Sequence, residues 1–423
     1  MNKQPFQTPP QRWNPKLTPW VVRWMRPYIR YDLGRQKIHD IEVRHLAKAQ
    51  DALAQPAGVL ITPNHSFHYD SYVLIETSHR LKRPFHFLTA WQVFAMGTRF
   101  DRWVLQRHGC YSINREGNDV QAFKTSVEIL QKNSHPLVIF PEGDIYHHND
   151  QISPFRDGAA AIALSAAKRS ERPILALPVA VKAFYVSDPT SDLERVMTRL
   201  EESLYWRPQT QHGLTERIYR FAEGLLALKE LEYLKQQQTG PITQRVRQLS
   251  DEVLRRLEQK YNVTPNSTEC PERAKEVRRA IIAVAEQKNA EQKNAEQKNA
   301  DTKNGQQKGL THEALLALEA DMEDVFFVIQ LYSYPGDYVA KKPVIERVAE
   351  TIDKFEEDLL RAVYPGVRGE RKVVVQFGDP ITVPDGRQGK PTVAEWTHRF
   401  EREVQSLLDD INANPPAEVI APK

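Results

Sequence analysis

Between residues 55 and 190, apolar runs of strand length alternate with stretches of helical period. Segments 59–61, 85–88, 137–140 and 174–181 read as strands, and 70–81, 120–131 and 158–168 read as helices. Strand and helix taking turns predicts a sheet flanked by helices rather than a helix bundle. From 191 to 370 the period becomes helical almost throughout. Ser191 and Glu194 have capping-box spacing, followed by Leu193, Val196, Leu200 and Leu204 on one face. The stripe recurs as Val246, Leu249, Val253 and Leu257, then as Leu315, Leu318, Met322, Val325 and Ile329. A last one follows Pro343, with Ile345, Val348, Ile352, Phe355 and Leu359. Such stripes are helical core, and no chemistry is assigned to them.

After this helical stretch Val373, Val374, Val375 and Phe377 form one more strand. A lone strand has no stability, so it is expected to return to the sheet begun before residue 190. The fold class is therefore α/β, a mixed sheet flanked by helices and interrupted by a long, mostly helical insertion. The expected divisions are an arm at 1–35, the α/β core at 36–190, the insertion at 191–284 and 309–370, a low-complexity linker at 285–308, the final core strand and helix at 371–412, and a tail at 413–423. The linker assignment rests on three copies of Ala-Glu-Gln-Lys-Asn over 285–299. A five-residue step turns a helix by about 500°, so no face becomes apolar, and the tract is a linker or a solvated helix extension.

Composition narrows the class. The 423 residues are 40% hydrophobic and 27% charged, with mean hydropathy −0.57 and no run of 18 apolar residues, which excludes a polytopic membrane protein. Two cysteines, Cys110 and Cys270, make no disulfide framework or thiolate metal site, so a reducing, cytoplasmic setting is expected. The net charge of +3 gives no reason to expect a nucleic-acid partner. Residues 1–50, however, hold ten Lys and Arg against three acidic residues. Trp13, Trp20, Trp24 and Tyr28 are interleaved there with Arg23, Arg26 and Arg30 and lack the apolar run of a secretory signal. Two readings stand: an arm on an anionic membrane surface, rings at headgroup depth, or an arm packed on its own domain.

Candidate chemistry collects after the expected strands. The strand at 59–61 runs into Asn64, His65, Ser66, Phe67, His68, Tyr69 and Asp70, the place where open α/β sheets gather reactive groups. His65 and Asp70 are spaced so that the carboxylate can fix one imidazole nitrogen and leave the other as a base. With no Ser or Cys at a strained elbow, the pair suits deprotonation of a substrate hydroxyl. Arg115 ends a short extended segment and can grip a phosphate bidentately. Phe140-Pro141-Glu142-Gly143-Asp144 follows a strongly apolar strand, and Arg156 with the start of an Ala-rich helix offers another anion site. Pro178 lies inside a buried strand. His68 fits no common zinc spacing with its neighbours, His147 and His148 read as a solvated pair, and Cys110 reads as packing.

The set His65-x4-Asp70, Gly109-x5-Arg115, Phe140-Pro141-Glu142-Gly143 and the Pro178 strand resembles, in order and spacing, the four motifs of the glycerolipid acyltransferase family, whose members acylate lysophosphatidate or glycerol-3-phosphate. The similarity covers roughly 55–185, and the segment 373–381 is similar to a later strand of the family. Asp144 departs from the Thr or Ser common there, and the long insertion is unusual. The resemblance implies His65 as base and Asp70 as its orienting partner. It further implies Arg115, Glu142 and Gly143 as holders of the acceptor's phosphate or glycerol. The substrate-binding set is completed by Pro178 of the fourth motif and by Arg156, read from the helix start as an anion site. It implies an acyl thioester donor, acyl-CoA or acyl carrier protein, and a lysophospholipid or glycerol phosphate acceptor. No metal and no cofactor are expected, and the protein should be cytoplasmic and peripherally bound to anionic lipid. The alternatives are a metal-dependent hydrolase using His65, His68 and Asp70, or a non-catalytic lipid-binding scaffold.

Overall fold

The computed structural model describes residues 10–115, 119–299, 312–362, 364–386 and 391–420. They fall into two compact units, one drawn from 10–215 and 342–420 and the other from 216–341. Residues 191–215 and 342–370 thus belong with the sheet.

The first unit runs α1 (Pro19–Trp24), α2 (Arg26–Arg35), β1 (Ile38–Arg44), α3 (Leu46–Ala54), β2 (Gly58–Pro63), α4 (Asp70–Arg80), β3 (His86–Ala90), α5 (Trp91–Met96), α6 (Arg99–Arg107) and β4 (Cys110–Ile113). It continues with α7 (Val120–Lys132), β5 (Leu137–Val138), α8 (Gly158–Arg169), β6 (Ile174–Tyr185) and α9 (Thr190–Ser203). The second unit holds α10 (Leu214–Leu234), which begins at the boundary, with α11 (Ile242–Tyr261), α12 (Cys270–Asn299), α13 (His312–Tyr332) and α14 (Tyr338–Lys341). The chain then completes the first unit with α15 (Ile345–Leu359), β7 (Arg371–Phe377), β8 (Ile381–Thr382) and α16 (Val393–Ala413).

The eight described strands form one mixed sheet in the order β1-β7-β6-β2-β5-β3-β4, with β8 also on β6. Strands β6, β2, β5, β3 and β4 are mutually parallel, whereas β7 and β8 run antiparallel to β6. The strand expected to return from beyond the insertion does so, Val373–Phe377 lying beside Val179–Ala183. Both β2 and β6 are buried along their whole length, which is why they read as unbroken apolar runs. Pro178 is accommodated in the middle of β6 because it sits between the stretches paired with β8 and with β7, where its missing N–H breaks no ladder.

Helix α16 covers one face of the sheet through Trp396, Phe400, Val404, Leu408 and Ile411, and Thr392 with Glu395 forms its capping box. The expected capping box at Ser191 does not form. Helix α9 starts at Thr190, two residues earlier than that box requires, and Ser191 lies inside its first turn. In the second unit the helices close around Leu249, Val253, Leu257, Val277, Ile281 and Val325. Helix α12 carries the repeats as far as Asn299, and the rest of the expected linker, 300–308, lies outside the described residues.

A buried ionic cluster ties α15 to the sheet. Asp150 takes Lys182 of β6 on one carboxylate oxygen and Arg347 Nε at 2.8 Å on the other, with Lys342 Nζ at 3.4 Å. Burial would raise the Asp150 carboxyl, but Lys182, then Lys342 and Arg347, hold it down at about 2. Its folded value is below the unfolded one, so its stabilisation is present above about pH 4 and is lost as the pH falls toward 2. Asp150→Asn leaves the buried Lys182 without its charge partner, at an expected cost of about 3–5 kcal/mol. Urea midpoints measured over a pH series check this: wild type should lose more stability through that acid window than the variant, the difference being the share of Asp150. An unchanged midpoint in the variant would show that the cluster contributes nothing.

Candidate active site

The strands' carboxyl ends decide where the chemistry lies. Spatially β2, β5, β3 and β4 are neighbours and parallel, so the segments leaving β2 (His65), β5 (Glu142, Gly143) and β4 (Arg115) emerge on one edge of the sheet. In sequence β5 follows β4, yet in space it lies between β2 and β3. The break in order opens the crevice in which α/β sheets place ligands.

Asn64 fixes the exit of β2 by exchanging two hydrogen bonds with the Val181 backbone, at 2.7 and 2.9 Å. The turn that follows wraps around Asp70, the first residue of α4. Asp70 Oδ2 accepts from the backbone N–H of Ser66 at 2.8 Å and of Phe67 at 2.9 Å, and lies 3.0 Å from His65 Nδ1. A carboxylate at a helix N-terminus also gains from the helix dipole. With Nδ1–H donated to Asp70, Nε2 of His65 is left as the acceptor, and it has no hydrogen-bond partner among the described residues. Phe140 stacks on the imidazole with ring centroids 4.1 Å apart, and the side chain keeps 18% of its exposure. This arrangement can accept a proton from a group arriving at Nε2.

Glu142 is buried, with both carboxylate oxygens engaged. Oε1 accepts the His65 N–H at 2.7 Å and Oε2 the Ser153 N–H at 2.9 Å. Burial, with Asp70 adding to it, pushes this carboxyl up to about 8, while the two N–H donors favour its ionised form. Glu142 therefore positions the His65 loop, and its oxygens are spent inside the protein.

Arg115 Nη1 donates to the Gly143 carbonyl and lies 3.7 Å from Asp144 Oδ2, while its Nε is buried without a partner among the described residues. Asp144 is buried. Desolvation would raise its carboxyl, but Arg115, with Arg156 also contributing, keeps it below the ordinary carboxylate value. The residue that departs from the family pattern is thus a counter-charge set into the arginine cluster. Gly143 has φ +73°, and a Cβ there would come within 2.6 Å of Arg156 Nε. The Arg156 backbone N–H returns to the Pro141 carbonyl at 2.8 Å, so the loops carrying Arg115, Gly143 and Arg156 meet. Pro178 is held apart from them, within the sheet beside Thr62.

His68 does not join His65 and Asp70 as the hydrolase alternative requires. Its Nε2 turns to Glu357 Oε1 of α15 at 3.0 Å. His147, expected in solvent, is buried and reaches the same oxygen at 3.2 Å, with its Nδ1 lacking a partner among the described residues. Glu357 had no signal in the sequence, since its helix reads as a core stripe. Cys110 is buried, which raises its thiol to about 12 and leaves it unreactive.

Residues 41–182 match the family model described as Acyltransferase. This stretch is an acyltransferase-family domain, of the kind found in glycerolipid acyltransferases. The match spans about a third of the chain, from within β1 to within β6, and contains every candidate residue above except Glu357. A search of curated proteins gives no match. The domain supports acyl transfer as the general activity, and the position of Gly143 within it can be probed directly. Gly143→Ala is expected to lower stability by about 1–3 kcal/mol, since it forces a left-handed non-glycine and displaces Arg156. Gly158→Ala, whose added methyl meets nothing within 4 Å at the start of α8, should be neutral or stabilising. Thermal melts of the two variants should therefore diverge, and equal melting temperatures would refute the packing described.

Proposed function

We propose that the protein moves a fatty acyl group from a thioester donor, acyl-CoA or acyl carrier protein, to the hydroxyl of a phosphate-bearing glycerolipid such as lysophosphatidate. The observation that carries this reading is the His65–Asp70 pair at the end of β2, with Nδ1 engaged and Nε2 unpartnered among the described residues. His65 Nε2 takes the proton of the acceptor hydroxyl as its oxygen attacks the thioester carbonyl, and Asp70 stabilises the imidazolium that forms. The tetrahedral adduct then expels the thiolate, which receives that proton and leaves as thiol, while the acyl group remains as an ester. Arg115, with Arg156 nearby, supplies the positive charge that binds the acceptor phosphate. Asp144 between them tempers that charge. Glu142 and Gly143 shape the loop, while Pro178 lies apart from it within the sheet.

His65→Ala should lower thioester-dependent acyl transfer about 10²- to 10⁴-fold with the fold intact. Asp70→Asn should also impair turnover by mis-setting the tautomer. Arg115→Lys keeps charge but loses the planar fork, so acceptor KM should rise while donor KM stays. Near wild-type transfer by the His65 variant would end this reading. A wild-type protein that turns over no thioester would favour the lipid-binding scaffold instead.

The same proposal makes the protein a cytoplasmic, peripheral occupant of an anionic membrane surface. Both readings of the arm find support. Val21, Met25, Ile29 and Leu33 pack inward, Trp13 stacks on Phe94, and Arg26 pairs with Glu76. Trp20 and Trp24 nevertheless remain 69% exposed, and α6, which meets α1 through Val104, adds exposed Phe100 and Trp103. Among the described residues no helix is long and apolar enough to cross a membrane. Basic residues near the surface should contribute about 1 kcal/mol each to binding anionic lipid, screened by salt. Sedimentation with anionic vesicles should fall as salt rises, and fall further in a Trp20→Ala, Trp24→Ala variant or a Phe100→Ala, Trp103→Ala variant. Indifference to salt, lipid charge and all four rings would exclude this surface as the docking face.

A further inference from the structure

We propose that His68, His147 and Glu357 form a binding site for a divalent transition-metal ion of the zinc class, separate from the His65–Asp70 pair. The three residues come from the turn after β2, the loop after β5 and helix α15, and each offers one ligand atom within 4.8 Å of the other two. The two ring nitrogens converge on a single carboxylate oxygen, His68 Nε2 at 3.0 Å and His147 Nε2 at 3.2 Å. Donors bound tetrahedrally to zinc at about 2.0–2.2 Å lie roughly 3.3 Å from one another, so an ion can enter this triangle with small side-chain movements. Two imidazoles and one carboxylate form a set that zinc accepts, with a fourth position left for water.

Packing already orients the ligands. The His147 ring meets Phe67 edge-on at 5.8 Å, and the His68 ring meets Tyr364 edge-on at 4.9 Å. Lys354 Nζ lies 3.8 Å from Glu357 Oε2, the oxygen not facing the histidines, and steadies the carboxylate from behind. His147 and Glu357 keep only 1% and 7% of their side-chain exposure, whereas His68 keeps 27%, so the site is closed on the α15 side and reachable from the His68 side. Solvated neighbours would not form a site of this kind; three convergent donors on a largely buried floor do.

The ion's part is to join elements. His68 lies between His65 and Asp70 in the chain, so an ion held by His68, His147 and Glu357 fastens the catalytic turn to the loop after β5 and to α15. Acyl transfer as proposed above needs no ion, and the two ideas fail separately.

Tag-free, full-length protein is stripped with a chelator, dialysed and titrated with zinc, then with cobalt(II). One equivalent should bind, with visible cobalt absorption of a four- or five-coordinate nitrogen and oxygen site, and the melting temperature should rise with zinc. Glu357→Gln, a conservative change, and His147→Ala should each weaken binding by more than roughly tenfold, while His65→Ala should bind as wild type does. Wild-type protein that takes up no stoichiometric zinc at micromolar concentration overturns the proposal. So does stoichiometric binding that survives unchanged in the folded Glu357→Gln protein.

Discussion

A single buried carboxylate carries the geometry of the site. Glu142 receives the backbone N–H of His65 on one oxygen and that of Ser153 on the other, and so locks the turn after β2 to the long segment between β5 and α8. Backbone donors hidden from water must be paired, and here one side chain pairs two that belong to different loops. Asp70 performs the same service within the turn, collecting Ser66, Phe67 and His65 on one oxygen. Between the two carboxylates His65 has little freedom left except the direction of its Nε2.

The segment 139–157 has no regular structure, yet it is ordered by side chains from elements far away in sequence. Glu350 and Glu357 of α15 hold Asn149 and His147, and Gln405, Glu401 and Thr397 of α16 hold Ile152, Phe155 and Asp157. The last part of the chain therefore does more than close the sheet. It builds the wall against which Gly143, Asp144 and Arg156 are set, which explains why the sheet and its final helices must belong to one unit although residues 216–341 intervene.

Much of this was legible from residue order. Strands β2 and β6 announced themselves because strands buried throughout are continuously apolar, β3, β5 and β7 by shorter apolar runs, and helices α4, α7 and α8 by their period. The pairing of His65 with Asp70 followed from spacing alone, since both residues sit on one turn. Strand β1 went unread because its seven residues, Ile-His-Asp-Ile-Glu-Val-Arg, alternate irregularly at the sheet's edge. Glu142 looked like a residue that meets substrate, because the sequence does not show which backbone donors a carboxylate will find. His147 and Glu357 were missed for the same reason. They meet across 210 positions, and a buried charge on an otherwise amphipathic helix leaves no mark on its period.

The fold presents His65 with a proton on Nδ1, held by Asp70, and with an Nε2 that has no partner among the described residues. Nitrogen-15 NMR of the imidazoles, with His65 assigned by substitution, reads this directly. The account predicts the Nδ1–H tautomer for neutral His65 in wild-type protein and its loss in Asp70→Asn. A neutral His65 carrying its proton on Nε2 would contradict it.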